Sequence, residues 1–274
     1  MSDTPTHVVV TGGAGGIGVG IATVFARKGA IVTLIDYRAE ALFEASSRIR
    51  ADAPGAVVNA IVADLTSATD PGEAIADAWK TSGPIDVVVN GAGIYPSTPL
   101  LDLTAEIWDA IQDVNVRSAV LTTVAFARLA KAADRTGSVV NITSGAALRA
   151  RTAAAPYSTS KAALEMWTKA SALELGPLGI RVNAVSPGFV AVQSPVNPYE
   201  EKYRQGADQN PLGRDGTPED IGEAAYWVAS DAAGWVTGTI IRVDGGSSTG
   251  NSGLPRSWPV MSLGIRGEVS AGDA

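Results

Sequence analysis

The chain has 274 residues, 46% of them apolar, and a formal net charge of −7. It has no cysteine and one histidine, His7, which excludes disulfides, a thiolate nucleophile, a histidine-based triad and any cysteine or multi-histidine metal site, so no metal is expected. The acidic balance argues against a nucleic-acid surface, residues 1–5 lack the basic and apolar regions of a signal peptide, and no apolar run approaches the ~20 residues of a membrane span. A soluble, cytoplasmic, acidic globular protein is the expectation.

Residues 8–10 form a short β-branched run, followed at once by Thr11-Gly12-Gly13-Ala14-Gly15-Gly16-Ile17-Gly18. An amphipathic segment over residues 19–28 comes next and is closed by Gly29. Strand, glycine turn and helix is the context in which glycines let the backbone approach a pyrophosphate, which then sits at the positive end of the helix. A second buried strand, residues 31–35, ends at Asp36, eighteen residues after Gly18. A carboxylate there is placed to accept hydrogen bonds from an adenosine ribose and to repel a 2′-phosphate, which points to NAD over NADP. Helix N-capping is the alternative role for Asp36, and Arg38 is expected to be a solvated side chain. A charged helix over residues 39–51 leads to a strand over 56–62 and then Ala63-Asp64-Leu65. A helix over 71–81 and a strand over 85–89 follow, ending in Asn90-Gly91-Ala92-Gly93.

Residues 104–131 read as one long helical stretch containing Asn115, ahead of a strand over 138–142 and Thr143-Ser144-Gly145. The helix of Tyr157 runs to residue 175 and stops at Gly176-Pro177; a strand over 180–185 then ends in Ser186-Pro187-Gly188. Residues 189–217 have no clear period, and a connection of that length predicts a lid or binding loop. Thr217-Pro218-Glu219-Asp220 reads as an N-cap with proline at the first helical position, opening a helix to residue 230. A last strand over 239–243 closes at Asp244-Gly245-Gly246. Helices alternating with continuous Val/Ile strands predict an α/β fold: a parallel sheet covered on both faces, with ligand beyond the carboxyl ends of its strands. No repeat or linker is evident, so one domain is expected over residues 1–246.

Tyr157 and Lys161 are four apart, which puts both on one face of a helix, about one turn from each other. An ammonium fixed beside a phenol favours the phenolate and makes it a usable general acid/base nearer neutral pH. Ser144 stands thirteen residues before the tyrosine.

Together Thr11-Gly12, Gly16-Ile17-Gly18, Asp64, Asn90-Gly91-Ala92-Gly93, Asn115, Ser144, Tyr157-x-x-x-Lys161, Pro187-Gly188 and Thr237-Gly238 resemble, in order and spacing, the short-chain dehydrogenase/reductase family of the single-domain kind. The resemblance covers roughly residues 6–246. It implies a Rossmann-type doubly wound parallel sheet of seven strands with helices on both faces. It also implies a nicotinamide cofactor and interconversion of a secondary alcohol and a ketone. The tetrad carries over as Asn115, Ser144, Tyr157 and Lys161. Tyr157 would exchange the proton, and Ser144 would hold the substrate oxygen. Lys161 would hold the nicotinamide ribose and lower the tyrosine pKa, and Asn115 would bind a water that passes protons to solvent. The cofactor would lie against Gly12, Gly15, Gly16, Ile17, Gly18, Asp36, Asp64, Leu65, Asn90, Ala92, Gly93, Tyr157, Lys161, Pro187, Gly188 and Val190. The family is commonly tetrameric through the Tyr157 and Asn115 helices, and a homotetramer is expected here.

Two positions depart from the family pattern. Gly91 stands where asparagine is usual, and Val192 where a threonine often binds the nicotinamide carboxamide; the Val190 backbone is the substitute expected for that contact. The expected substrate pocket comprises Tyr95, Ala146, Leu148, Phe189, Val192 and Tyr199, with Pro96 and Tyr203 near it, which suits a medium-sized secondary alcohol or ketone. Arg149 and Arg151 are expected to face solvent, with an anionic substrate group as the alternative. Tyr226 and Trp227 read as core or subunit interface. Residues 247–274 read as loop, with a subunit interface as their expected place. A 3-oxoacyl-carrier-protein reductase is the alternative activity, and a catalytically idle dinucleotide-binding protein is the alternative outside enzymes.

Overall fold

A computed structural model describes residues 6–192 and 210–250, together with two short strands in the C-terminal region, Met261–Leu263 and Val269–Ala271. Seven parallel strands form the central sheet: β1 (His7–Thr11), β2 (Ile31–Asp36), β3 (Val58–Val62), β4 (Val87–Asn90), β5 (Gly137–Ile142), β6 (Ile180–Pro187) and β7 (Ile240–Val243). Their order is β3-β2-β1-β4-β5-β6-β7, so the order reverses between β1 and β4. At that reversal the loops after the two strands diverge and leave a crevice at the carboxyl edge.

Among the described residues, seven α-helices connect the strands: α1 (Gly16–Arg27), α2 (Ala39–Asp52), α3 (Asp70–Ser82), α4 (Ala105–Gln112), α5 (Ser118–Ala132), α6 (Ala155–Leu175) and α7 (Pro218–Ala229). Strand alternation divides the core into two layers. Val8 and Val10 point to the layer with Ile21, Phe25, Leu34 and Ile221, whereas Val9 points to the layer with Ile75, Val88, Phe126 and Val182. Each fully buried side chain of this kind contributes about 1.5–3 kcal/mol by leaving water. Phe25 also meets Tyr226 edge-on at 5.3 Å, so Tyr226 belongs to the core, while Trp227 stays half exposed.

The main departures from the expected element boundaries are local. Helix α1 begins at Gly16, three residues earlier than expected, because the glycine turn itself enters the first helical turn. The stretch expected as one helix over 104–131 is two α-helices separated by a π-helical turn, Asp113–Arg117, which carries Asn115. Thr217 caps α7 as expected: its hydroxyl accepts from Asp220 N at 3.2 Å, and the Asp220 carboxylate accepts from Thr217 N at 2.8 Å. The C-terminal region, read from sequence as loop, contains the two short strands, which pair antiparallel from Met261 with Ala271 to Leu263 with Val269. Most of the expected lid, residues 193–209, lies outside the described residues, and with it Tyr199 and Tyr203.

Candidate active site

The glycine turn is held by contacts that leave no room for side chains. Gly12 has a φ of +66°, and a Cβ there would come within 2.8 Å of Ala92 Cα. A Cβ on Gly18 would lie 2.2 Å from Gly12 O. Helix α1 has neither a side-chain cap nor an acidic residue in its first turn. Its leading amides therefore face the crevice with the positive end of the helix dipole, which suits a pyrophosphate.

Asp36 is buried at the end of β2 and turned toward this loop. Its carboxylate accepts from Ala14 N at 3.3 Å and from Arg38 N at 3.2 Å. Arg38 is not the solvated side chain expected from sequence. Its Nε and Nη2 donate to the two oxygens of Asp36 at 3.0 and 3.1 Å, forming a two-pronged pair. Arg38 is held in the charged form by this pairing, chiefly through its hydrogen bonds to Asp36. Farther along the same edge, Leu65 is buried and Asp64 is exposed, with Oδ1 taking the Thr66 hydroxyl at 2.7 Å.

The loop after β4 is tied to β1. Thr11 Oγ1 accepts from Gly91 N at 3.1 Å and from Ala92 N at 3.3 Å. The structure supplies a reason for glycine at position 91: a Cβ there would sit 2.8 Å from Thr11 O. The Asn90 side chain, expected at the cofactor, is turned into the interior instead. Its Nδ2 donates to Asn141 Oδ1 at 2.8 Å, and its Oδ1 accepts from Thr122 Oγ1 at 2.7 Å. Buried polar groups must be satisfied internally, and this network does so between β4, β5 and α5.

Asn115 and Lys161, two of the four residues expected to form the tetrad, converge beside Gly93. Asn115 Oδ1 accepts from Ile94 N at 2.8 Å, while its Nδ2 donates to Ile94 O at 2.9 Å and to Ser160 Oγ at 3.0 Å. Asn115 thus clamps the loop after β4 onto α6. Lys161, buried, donates from Nζ to Ile142 O at 2.9 Å, and Nζ lies 5.8 Å from the centre of the Tyr157 ring. A Cβ on Gly93 would lie 3.3 Å from Lys161 Nζ and 3.5 Å from Asn115 Oδ1, so a glycine there opens the path between them. Burial lowers the Lys161 pKa to about 8. Ser144 follows β5, and its hydroxyl accepts from Ala146 N at 3.2 Å.

Around this centre, the Tyr95 ring packs 5.5 Å from that of Tyr157, Ala146 is buried and Leu148 is half exposed. Phe189 and Val190 are strapped to Gly216, whose N donates to Phe189 O at 3.1 Å. The Val190 carbonyl accepts from Val192 N at 3.0 Å, and Gly188 N donates to Val243 O at 2.9 Å beside Pro187. Val192, expected in the substrate pocket, sits over the glycine turn: a Cβ on Gly16 would be 2.7 Å from Val192 Cβ. It therefore borders the cofactor side of the crevice. Arg149 reaches across to the turn after β7, donating to Ser247 O at 2.9 Å, so it is not simply directed to solvent. The Arg38 and Arg149 contacts gave no sequence signal beyond a basic residue near a turn.

Comparisons with known proteins agree with this geometry. A family model described as enoyl-(acyl carrier protein) reductase matches residues 12–248. A galactitol 2-dehydrogenase (L-tagatose-forming) of Cereibacter sphaeroides is 38% identical over 241 residues, 86% of this chain and 92% of that protein. A cyclopentanol dehydrogenase of Comamonas testosteroni is 36% identical over 241 residues, 87% of this chain and 95% of the relative. A solved short-chain type dehydrogenase/reductase from Mycobacterium marinum superposes with a TM-score of 0.80 at 31% identity, covering 89% of this chain and 95% of the other. The crevice, the cluster at Gly93 and these likenesses agree, and the chain belongs to the short-chain dehydrogenase/reductase family, whose members are oxidoreductases that use nicotinamide dinucleotides.

Proposed function

We propose that the chain is an NAD-dependent oxidoreductase that interconverts a secondary alcohol and a ketone, with Tyr157 as general acid/base. The observation that carries this reading is the buried Lys161 ammonium on the same helix face as Tyr157, anchored to Ile142 O at 2.9 Å. A bound nicotinamide dinucleotide supplies the hydride acceptor or donor. The remaining work falls to side chains of this chain. Tyr157 Oη takes the proton from the substrate hydroxyl during oxidation and returns it to the carbonyl oxygen during reduction. Ser144 Oγ hydrogen-bonds the same oxygen and fixes its distance from Tyr157. Lys161 favours the phenolate and would hold the nicotinamide ribose. The Asn115 amide is committed to Ile94 and Ser160. A proton-relaying water therefore belongs on its main-chain carbonyl, in a π-helical turn that departs from the α-helical ladder.

Asp36 supports NAD, because its carboxylate faces the glycine turn and would repel a 2′-phosphate. Asp36 would hold the ribose hydroxyls through the same carboxylate that takes Arg38. Asp36→Ala frees the Arg38 guanidinium and moves preference toward NADP. A wild-type enzyme that already prefers NADP by a large factor contradicts this assignment. Tyr95, Ala146, Leu148 and Phe189 are assigned to the substrate pocket, an apolar set with one hydroxyl, which suits an alcohol of the size of cyclopentanol better than a charged one. The matching family description favours a second reading, reduction of a carrier-bound acyl chain. The net charge of −7 and Asp36 weigh against it, since an acidic carrier needs a basic docking surface. Cofactor-dependent absorbance with cyclopentanol, galactitol and a 3-oxoacyl thioester separates the two.

We assign the protein a homotetrameric assembly through α5 and α6. Met166 and Leu173 project from α6 at 63% and 81% exposure in the single chain, beside a groove lined by Val124, Arg128, Trp167 and Leu175. The subunit-interface place expected for residues 247–274 falls largely outside the described residues. A truncation after Gly250 that leaves mass, stability and substrate KM unchanged would remove that reading. No helix among the described residues is long and apolar enough to cross a membrane, and a cytoplasmic location fits that reading.

A further inference from the structure

Glu165 lies four residues beyond Lys161 and eight beyond Tyr157, so it continues their face of α6 one turn deeper. Its carboxylate meets Arg242 of β7 in a two-pronged pair, Nη1 to Oε1 at 3.0 Å and Nη2 to Oε2 at 3.3 Å. The same Arg242 Nη1 donates to Ser186 Oγ at 2.9 Å, directly across the β6–β7 ladder. Thr143 Oγ1 reaches Glu165 Oε1 at 3.5 Å, and Thr143 N donates to Val185 O at 2.8 Å. The side chains are 14% and 26% exposed, so the pair is largely shielded from water.

Three members of this group adjoin or flank residues of the active site, and Arg242 ties two of them together. Thr143 precedes Ser144, Ser186 precedes Pro187-Gly188, and Glu165 is one turn from Lys161. We propose that Glu165 and Arg242 form a positioning clamp that sets the height of α6 against the ends of β5 and β6. It thereby fixes the distance from the Tyr157 hydroxyl and Lys161 ammonium to Ser144. Neither residue touches substrate; both act through the elements that do. The effect on turnover rests on the alcohol-oxidation reading above, whereas the effect on cofactor affinity does not.

A pair with this role has a distinctive signature. A displacement of about 1 Å can cost as much as a hundredfold in rate, so a partial loosening of the clamp lowers kcat by about tenfold. Glu165→Gln and Arg242→Gln each lower kcat for cyclopentanol to that extent and raise the NADH dissociation constant about threefold. The double variant loses no more than the worse single variant, because the two side chains act as one unit. Arg242→Lys keeps the charge, restores part of both losses, and guards against a Gln variant that does not fold. NADH and NADPH affinities are measured in parallel by fluorescence, with melting temperatures as the control for folding. If kcat and cofactor affinity both stay within twofold of wild type while the melting temperature falls, the pair is structural only and the proposal is wrong. Losses that multiply in the double variant contradict the clamp as well. If the wild type oxidises no alcohol, the functional reading fails on its own, and cofactor affinity still decides the clamp.

Discussion

Tyr157 and Lys161 carry the chemistry in this account, and both can be tested singly. Tyr157→Phe removes the transferable proton and leaves the ring in place. Turnover falls by at least about a hundredfold, the lower range for general acid/base catalysis, while NADH still binds; retained turnover refutes the role. Lys161 also leaves a mark on stability. Its pKa in the folded chain is about 8, below the ordinary 10.5, because burial disfavours the ammonium. Between those values the unfolded chain binds more protons than the folded one, so this group makes stability rise with pH across the window from about 8 to 10.5. Urea midpoints measured on the cofactor-free protein show the rise in wild type and its absence in Lys161→Met. His7 acts at lower pH: burial lowers its pKa, the largest of its influences, so its contribution to stability declines as pH falls below 6.5. The spacing of Tyr157 and Lys161 was readable in the sequence because a helix fixes it. The Arg38–Asp36 pair was not, since a flexible guanidinium two residues from a carboxylate can turn either to it or to water.

Element boundaries follow the same physics. Val/Ile runs mark β1, β2 and β4 most plainly, whereas β3 mixes buried, half-buried and exposed positions and β6 is interrupted by Arg181 and Asn183. The π-helical turn at Asn115 was harder, because its residues, Asp113–Arg117, keep an ordinary helical pattern. What distinguishes them is the Asn115 amide bonded to Ile94 and Ser160, a long-range contact that periodicity does not show. The inward turn of Asn90 has the same origin, as its partners come from β5 and α5. Two element-level outcomes follow. Gly91→Asn, which introduces the residue more usual in the family, drives a Cβ to 2.8 Å from Thr11 O and loosens the loop over the cofactor. Overpacking of this kind costs about 1–3 kcal/mol, visible as a lower melting temperature and weaker NADH binding; unchanged values show that the loop yields freely. Ala153 adopts a φ of +58° just before α6, a left-handed conformation that disfavours a Cβ. Ala153→Gly relieves it and raises the melting temperature; an unchanged or lower value shows that the added freedom of the unfolded chain outweighs the relief.

At the scale of the whole molecule, the doubly wound sheet places every strand end with chemistry along one edge. Glycine turn, Asp36, Gly93, Ser144 and Pro187-Gly188 are distant in sequence and adjacent in space for that reason alone. That arrangement was legible because alternating strands and helices admit few topologies. The position of Val192 over Gly16 was not, since it depends on how the chain folds back after β6. Assembly belongs to this scale too. If the proposed tetramer forms through α6, Leu173→Glu on its exposed face lowers the mass seen in light scattering; unchanged mass contradicts that interface. The central claim, a nicotinamide-dependent alcohol oxidoreductase with NAD preferred, is tested most directly by absorbance at 340 nm with NAD and with NADP. The panel of secondary alcohols runs from short aliphatic through cyclopentanol and aromatic to sugar and steroid. The account predicts an NAD-dependent rise with an apolar alcohol and a weaker one with NADP. Silence across the panel, with NADH still bound, contradicts it and leaves a dinucleotide-binding protein or an acyl-chain reductase in its place.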